Sequence, residues 1–342
     1  MSTDEPQELQ QDQQPLQQQL AAFRDDYEEI KKQICRVIVG QNEIIDATLT
    51  ALFAGGHVLL ESVPGLGKTL LARTLADALD LDFRRLQFTP DLMPADVIGT
   101  YIVMESHGRR KFEFQQGPIF ANVLLADEVN RATPKTQSAL LEGLGEGAVT
   151  VANETYDLPD PFFTIATQSQ SETEGTFPLP QTQLDRFFFK LRMPFPSGDE
   201  LSEIFDRTTE PMVPVAKKAL DTRRVREMMD VVRRVTIAPE VKQYAISRLL
   251  ATHPDQPQAT PMVRQFVAQG CSPRGGQAMI LAGKIRALLD GRVHVAEEDL
   301  RVAAVPALRH RLTLNFEGHA EQIEPDDVLN EVLGAAAAGE AA

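Results

Sequence analysis

An apolar run, His57-Val58-Leu59-Leu60, is followed by Ser62-Val63-Pro64-Gly65-Leu66-Gly67-Lys68-Thr69 and then by a helical pattern that continues to Leu79. Glycines at such a point let the backbone wrap so that successive N–H groups and the helix start face an anion. Pro64, Gly65, Leu66, Gly67 and Leu70 would then line a phosphate cradle. Lys68 would reach the terminal phosphates of a nucleotide and the Thr69 hydroxyl would bind Mg²⁺. The general pattern opens on glycine where this chain has Ser62, while the Gly67-Lys68-Thr69 end is intact. Gly-Lys-Thr alone occurs often by chance, and a plain strand–turn–helix is the alternative. Its place between an apolar run and a helix favours the phosphate reading.

A second run, Val123-Leu124-Leu125-Ala126, ends in Asp127-Glu128. In open α/β sheets ligands bind at the carboxyl ends of the strands. Asp127 there would hold Mg²⁺ and Glu128 would polarise an attacking water. Taken alone, the pair could simply end a strand and cap the next helix. A third run, 162–166, ends in Thr167-Gln168-Ser169. Its polar side chains could orient that water or touch the terminal phosphate; spacing does not choose between Gln168, Ser169 and an ordinary turn.

The elements that must position these groups are legible as short apolar runs at 57–60, 83–88, 123–126, 162–166 and 187–189, alternating with amphipathic stretches. Runs with so few polar interruptions read as strands buried on both faces, hence a parallel sheet with helices outside. Thr133-Pro134 opens a helix with an N-cap and proline at its first position. Ala148–Val151 and Thr155–Leu158 read as a hairpin around Asn153-Glu154. Beyond Pro194-Phe195-Pro196, proline-punctuated helices extend to about residue 304 without a convincing buried strand, interrupted by a loop at 253–261. The expected divisions are a disordered glutamine-rich tail at 1–22, an α/β domain at 23–195, a helical domain at 196–330 and an alanine-rich tail at 331–342.

Among 342 residues, 34 Lys and Arg face 49 Asp and Glu, a formal charge of −15, which speaks against broad binding to nucleic acid or anionic membrane. No stretch reaches the roughly 18 apolar residues of a membrane span. The leader has neither the basic nor the apolar part of a signal peptide, so a cytoplasmic location is expected. Cys35 and Cys271 are too far apart for a CxxC site, and the histidines show no HxxxH or HExxH spacing. Arg309-His310-Arg311 reads as a solvated helix face. Arg186 beside Asp185 would by itself be a weak surface ion pair, and Arg274 could neutralise a helix terminus.

Longer ordered stretches change the weight of those arginines. Gly117-Pro118-Ile119-Phe120-Ala121-Asn122 leads into Leu125-Ala126-Asp127-Glu128-Val129-Asn130-Arg131-Ala132. Pro134-Lys135-Thr136-Gln137-Ser138-Ala139-Leu140-Leu141-Glu142 follows. Downstream come Ala166-Thr167-Gln168, Glu174-Gly175-Thr176-Phe177-Pro178-Leu179-Pro180, Gln183-Leu184-Asp185-Arg186-Phe187 and Ser272-Pro273-Arg274. Over roughly residues 35–315 the chain resembles the MoxR family of AAA+ ATPases. That resemblance implies a P-loop NTPase core with a C-terminal all-helical lid, binding ATP and Mg²⁺. It places Val39, Gly40 and Gln41 against the adenine, Ser169 at the position of the sensor-1 asparagine, and Arg186 as a finger reaching the neighbouring subunit's nucleotide. Arg274 becomes the lid arginine facing its own nucleotide, with Gly275-Gly276 behind it implying a loosely started helix. Leu92-Met93-Pro94 and Phe112-Glu113-Phe114 would face a ring pore or partner, ordinary edge packing being the alternative.

The implied function is hydrolysis of Mg-ATP to ADP and phosphate, coupled to chaperone-like remodelling or activation of partner proteins. A hexameric ring and a client with a von Willebrand A-type domain are implied with it. A nucleic-acid motor is the first rival, disfavoured by the charge and by the lack of an added helix-turn-helix. A nucleotide-gated scaffold with little turnover is the second, suggested by Ser62 and Ser169.

Overall fold

A computed structural model describes residues 16–106, 109–168, 175–209, 211 and 214–334. Helices α1 (Leu16–Cys35) and α2 (Asn42–Phe53) precede β1 (Val58–Glu61), α3 (Lys68–Leu79) and β2 (Phe83–Gln87). A short α4 (Pro94–Ile98) leads into the hairpin β3 (Gly99–Ser106) and β4 (Arg109–Gln116). Then come β5 (Val123–Asp127), α5 (Pro134–Glu146), the hairpin β6 (Ala148–Val151) and β7 (Glu154–Asp157), β8 (Phe163–Gln168), α6 (Gln181–Leu184) and β9 (Phe189–Arg192). The remainder comprises α7 (Gly198–Thr209), α8 (Thr222–Arg234), α9 (Pro239–Ala251), α10 (Pro261–Phe266), β10 (Val267–Gln269) and α11 (Pro273–Leu289). It ends with α12 (Glu297–Leu308), β11 (Thr313–Leu314), α13 (Phe316–Ala320) and α14 (Pro325–Gly334).

The central sheet has the order β2-β5-β8-β1-β9, and every neighbouring pair is parallel. Successive side chains enter opposite apolar clusters. Val58, Leu60, Val123, Leu125, Phe163 and Ile165 join one; Leu59, Leu124, Ala126 and Ala166 join the other. Burial on both faces is why these strands read as unbroken apolar runs. The first cluster continues into the helical part, where Val225, Met228, Met279 and Ile285 lie in it beside Phe23 and Tyr27 of α1. Among the described residues no helix is long and apolar enough to cross a membrane.

Several expectations shift. The tail expected to end at residue 22 gives way to a helix from Leu16 onward; its earlier part lies outside the described residues. Leu20, Phe23, Tyr27, Ile30 and Ile34, spaced by three or four, are all buried. Glutamines and acids on the opposite face had concealed that stripe. At the other end, α14 includes residues 331–334, with Val332 and Leu333 buried, so only the last part of the expected alanine-rich tail falls outside the described residues.

Phe187 and Phe188 precede the last sheet strand instead of forming it, and Phe187 packs on the second cluster. The β6–β7 turn is Ala152-Asn153, both left-handed, one residue earlier than read. The β3–β4 hairpin was not anticipated. The helical part also contains a short antiparallel ribbon, β10 with β11, too brief to leave a sequence pattern. Finally, α11 does not start loosely. Gly275 and Gly276 are buried, and a Cβ on Gly275 would lie 2.6 Å from Leu308 Cδ2 and 3.0 Å from Arg311 Cδ. The glycine is there for close approach.

Candidate functional site

The β1–α3 turn is built as its composition implied. Gly65 and Gly67 have φ of 87° and 79°, a left-handed conformation that side chains resist, and a Cβ on either would meet nothing within 4 Å. Their requirement is therefore backbone shape beside open space. Gly67 is the N-cap of α3 and no side chain caps that end, so the first-turn N–H groups face the opening with the helix's positive pole. Lys68 and Thr69 are half-buried in that turn, and Pro64, Gly65 and Leu70 are exposed around it, with Leu66 half-buried. Among the described residues no carboxylate engages Lys68. Ser62, at the irregular first position, is buried and donates its hydroxyl to the Val63 carbonyl at 3.1 Å, so it fits without leaving a polar group unmet.

Only β8 separates β1 from β5, so the acidic pair sits one strand away from the glycine turn. Asp127 is buried. Its Oδ1 accepts from Thr167 Oγ1 at 2.7 Å, and its Oδ2 accepts from Arg85 Nη2 at 2.7 Å and Nε at 3.2 Å. Thr167 Oγ1 in turn accepts from the Glu128 N–H at 2.8 Å. Glu128 is itself left-handed, φ 58°, a conformation costing a non-glycine residue about 1–2 kcal/mol. Its Oε2 accepts from Gln87 Nε2 at 2.8 Å and Arg131 Nη1 at 3.1 Å. Arg85, Gln87, Arg131 and Thr167 as holders of these acids went unread in the sequence. The available signal was β2 itself, Phe-Arg-Arg-Leu-Gln, whose Arg85 and Gln87 share a face beside the acidic strand end. Gln168 ends β8 half-buried, while Ser169 lies outside the described residues.

Val39-Gly40-Gln41 forms the turn into α2, with Gly40 and Gln41 left-handed at φ 63° and 56°. Gln41 Nε2 donates to the Pro194 carbonyl at 2.9 Å, whereas its Oε1 is buried and has no partner among the described residues. An acceptor waiting for a donor, an open glycine turn, an uncapped helix start and a lysine without a carboxylate are together what a nucleotide would satisfy. A buried carboxylate and the Thr69 hydroxyl suit a hard divalent cation.

Arg186 is not brought to this site. It donates to the Leu141 carbonyl of α5 in a notch opened by Gly145, and no hydrogen bond or ion pair joins it to Lys68, Thr69, Asp127 or Glu128 of its own chain. Nor does it pair with Asp185. That carboxylate takes Arg311 Nε at 2.8 Å and lies 3.9 Å from Arg274 Nη1. Arg274 stands in the first turn of α11, the positive pole, so it does not neutralise the terminus of its own helix. The solvated face expected at 309–311 is also corrected: His310 and Arg311 are each 4 % exposed, buried against Asp185 to Phe188.

His57, at the foot of β1, is locked in one neutral form. Its Nε2–H donates to the Leu144 carbonyl at 3.1 Å and its Nδ1 accepts from the Thr164 N–H at 3.1 Å. Burial pulls its pKa down to about 4.

Residues 57–189 match the family model of the ATPase family associated with various cellular activities (AAA), and residues 260–332 match that of the AAA lid domain. The uncharacterised Bacillus subtilis protein YeaC is 42 % identical over 309 residues, 88 % of this chain and 91 % of YeaC. Chaperone MoxR1 of Mycobacterium tuberculosis is 40 % identical over 301 residues, 88 % of this chain and 79 % of MoxR1. The chain belongs to the MoxR family of AAA+ ATPases. A crystal structure of a candidate ATPase from Cytophaga hutchinsonii superposes with a TM-score of 0.87 at 35 % identity, covering 96 % of this chain and 98 % of that one.

In this MoxR-family chain one side of the β3–β4 hairpin packs as an ordinary edge. Phe114 packs in an aromatic cluster with Tyr101, Phe120 and Tyr156, as edge packing requires. Phe112 is 70 % exposed and stands opposite exposed Val103, leaving an apolar patch on the hairpin.

Proposed function

We propose that this chain hydrolyses Mg-ATP to ADP and phosphate and uses the cycle to remodel or activate protein partners. The observation that carries the reading is the open glycine turn with its uncapped helix and carboxylate-free Lys68, one strand away from buried Asp127. The α3 N–H groups and Lys68 hold the phosphates, with Pro64 to Leu70 around them and Val39 to Gln41 on the adenine side. Thr69 and Asp127 hold Mg²⁺. When bound, that ion neutralises charge developing on the phosphate oxygens. Glu128, released from Gln87 and Arg131, polarises the attacking water. Ser169 or Gln168 senses the terminal phosphate, and Arg274 contacts it from the lid.

Arg186 completes the site of the next subunit, in keeping with its lack of contact with its own. A guanidinium there stabilises transition-state charge, worth roughly 10³–10⁵ in rate in related NTPases. A closed ring, hexameric in this reading, supplies one finger per site. The name of MoxR1 supports a chaperone role, and a protein with a von Willebrand A-type domain is the proposed class of client. The charge of −15 favours a protein client over nucleic acid.

Steady-state ATP hydrolysis across protein concentrations tests the reading. Turnover per subunit rises with concentration as rings assemble, and Lys68→Ala abolishes it together with nucleotide binding. Turnover independent of concentration, or full activity in Lys68→Ala, refutes it.

A further inference from the structure

The residues on either side of Arg186 are gripped by the helical part of the same chain. Arg311 Nη2 donates to the Asp185 carbonyl at 2.9 Å and the Phe187 carbonyl at 2.7 Å, while its Nε meets the Asp185 carboxylate at 2.8 Å. His310 Nε2–H donates to the Phe187 carbonyl at 3.0 Å. At the N-cap of α11, the Ser272 hydroxyl donates to the same Asp185 carboxylate, and Arg274 in the helix's first turn approaches its other oxygen. Gly275 lets the start of α11 lie directly against Arg311. A surface ion pair would need none of this. Arg311 is desolvated almost completely and uses its planar fork on backbone carbonyls, which fixes the path of a short segment rather than the position of one side chain.

We propose that Asp185 is a positioning residue: with Arg311 and Ser272 it aims Arg186 at the neighbouring subunit's nucleotide and ties that aim to the helix bearing Arg274. This rests on the reading of Arg186 as a finger acting in the next subunit. The consequence is specific. A fault at Asp185 should slow hydrolysis in the adjacent subunit rather than in its own, because the misplaced group belongs to the adjacent site. Displacements near 1 Å of such groups cost up to about a hundredfold in rate.

The test mixes two proteins that are each inactive alone. Glu128→Gln retains its finger but lacks the water-activating acid; Arg186→Ala retains the acid but lacks the finger. ATP hydrolysis recovered in the mixture comes from Arg186→Ala sites served by fingers of the Glu128→Gln subunits. Adding Asp185→Asn to the Glu128→Gln protein should cut the recovered rate at least about tenfold. Ser272→Ala, a milder change that spares the buried Arg311–Asp185 pair, should cut it severalfold. Melting temperature and affinity for a fluorescent ATP analogue are measured on each double variant. Asp185→Asn, which leaves buried Arg311 without its carboxylate, should lower the melting temperature, whereas Ser272→Ala should match the Glu128→Gln parent in both. Undiminished recovery with both additions overturns the proposal. So does a loss in the Ser272→Ala variant that merely follows a fall in its melting temperature or nucleotide affinity, since that marks a general structural brace. If the parent mixture recovers nothing, the reading of Arg186 fails first, a result distinct from either.

Discussion

Arg85 and Asp127 form a charge-assisted pair at 2.7 Å on the rim of the proposed cation site. A guanidinium beside a carboxylate weakens that carboxylate's attraction for Mg²⁺. Arg85→Ala should therefore lower the Mg²⁺ concentration for half-maximal ATP hydrolysis by severalfold; a metal titration giving an equal or higher requirement would count against Asp127 as the metal carboxylate. His57 makes a second prediction. Its pKa is about 4 in the fold against 6.5 in the unfolded chain, so between those values the unfolded state binds more protons. Its contribution to stability is complete above pH 6.5 and is lost as pH falls towards 4. The loss is roughly 3 kcal/mol. Buried His310, also shifted downward by desolvation, acts in the same direction. Urea unfolding at pH 7 and pH 4.5 should show the loss, and His57→Gln should flatten the pH slope. At this scale the sequence displayed the groups proposed to act, such as Lys68 and Asp127. It hid those that hold them, such as Arg85 and Thr167, because their roles depend on strand neighbours distant in the chain.

Among the elements, α1 joins the α/β part to the helical part through one buried stripe. Phe23→Ala should cost about 3–5 kcal/mol in urea unfolding, as for truncation of other buried aromatics; a cost under about 1 kcal/mol would place α1 outside the cooperative fold. Gly275→Ala presses a methyl group onto Leu308 and Arg311 and should cost about 1–3 kcal/mol in the same measurement. Strands β1, β5 and β8 could be read from sequence because burial on both faces leaves unbroken apolar runs, and α3 and α5 because their starts carry turn and cap signals. Strand β2, expected to be buried on both faces, instead exposes Arg84, Arg85 and Gln87 at the sheet edge. The β3–β4 hairpin could not, since it carries exposed Phe112 and Val103 beside charged residues and so shows no clean alternation. The stripe in α1 was diluted by its glutamines.

For the whole molecule, the proposed site is incomplete within one chain. The glycine turn and the acid pair lie at the ends of strands separated only by β8, while Arg186 donates to Leu141 of α5 and its neighbours Asp185 and Phe187 are held by His310 and Arg311. No pattern within a single sequence marks a side chain that works in another copy, so that role came only from family likeness, and burial of His310 and Arg311 ran against the basic composition of their segment. A shared site makes hydrolysis a property of the assembly, which couples nucleotide state to ring geometry and hence to a client.

The most direct measurement is ATP hydrolysis by an equal mixture of the Glu128→Gln and Arg186→Ala proteins, each inactive alone. A finger acting across subunits predicts recovery to roughly a quarter of the wild-type rate, the share of sites in a random ring that join an intact acid to an intact finger. A mixture no more active than the sum of its two components would contradict it.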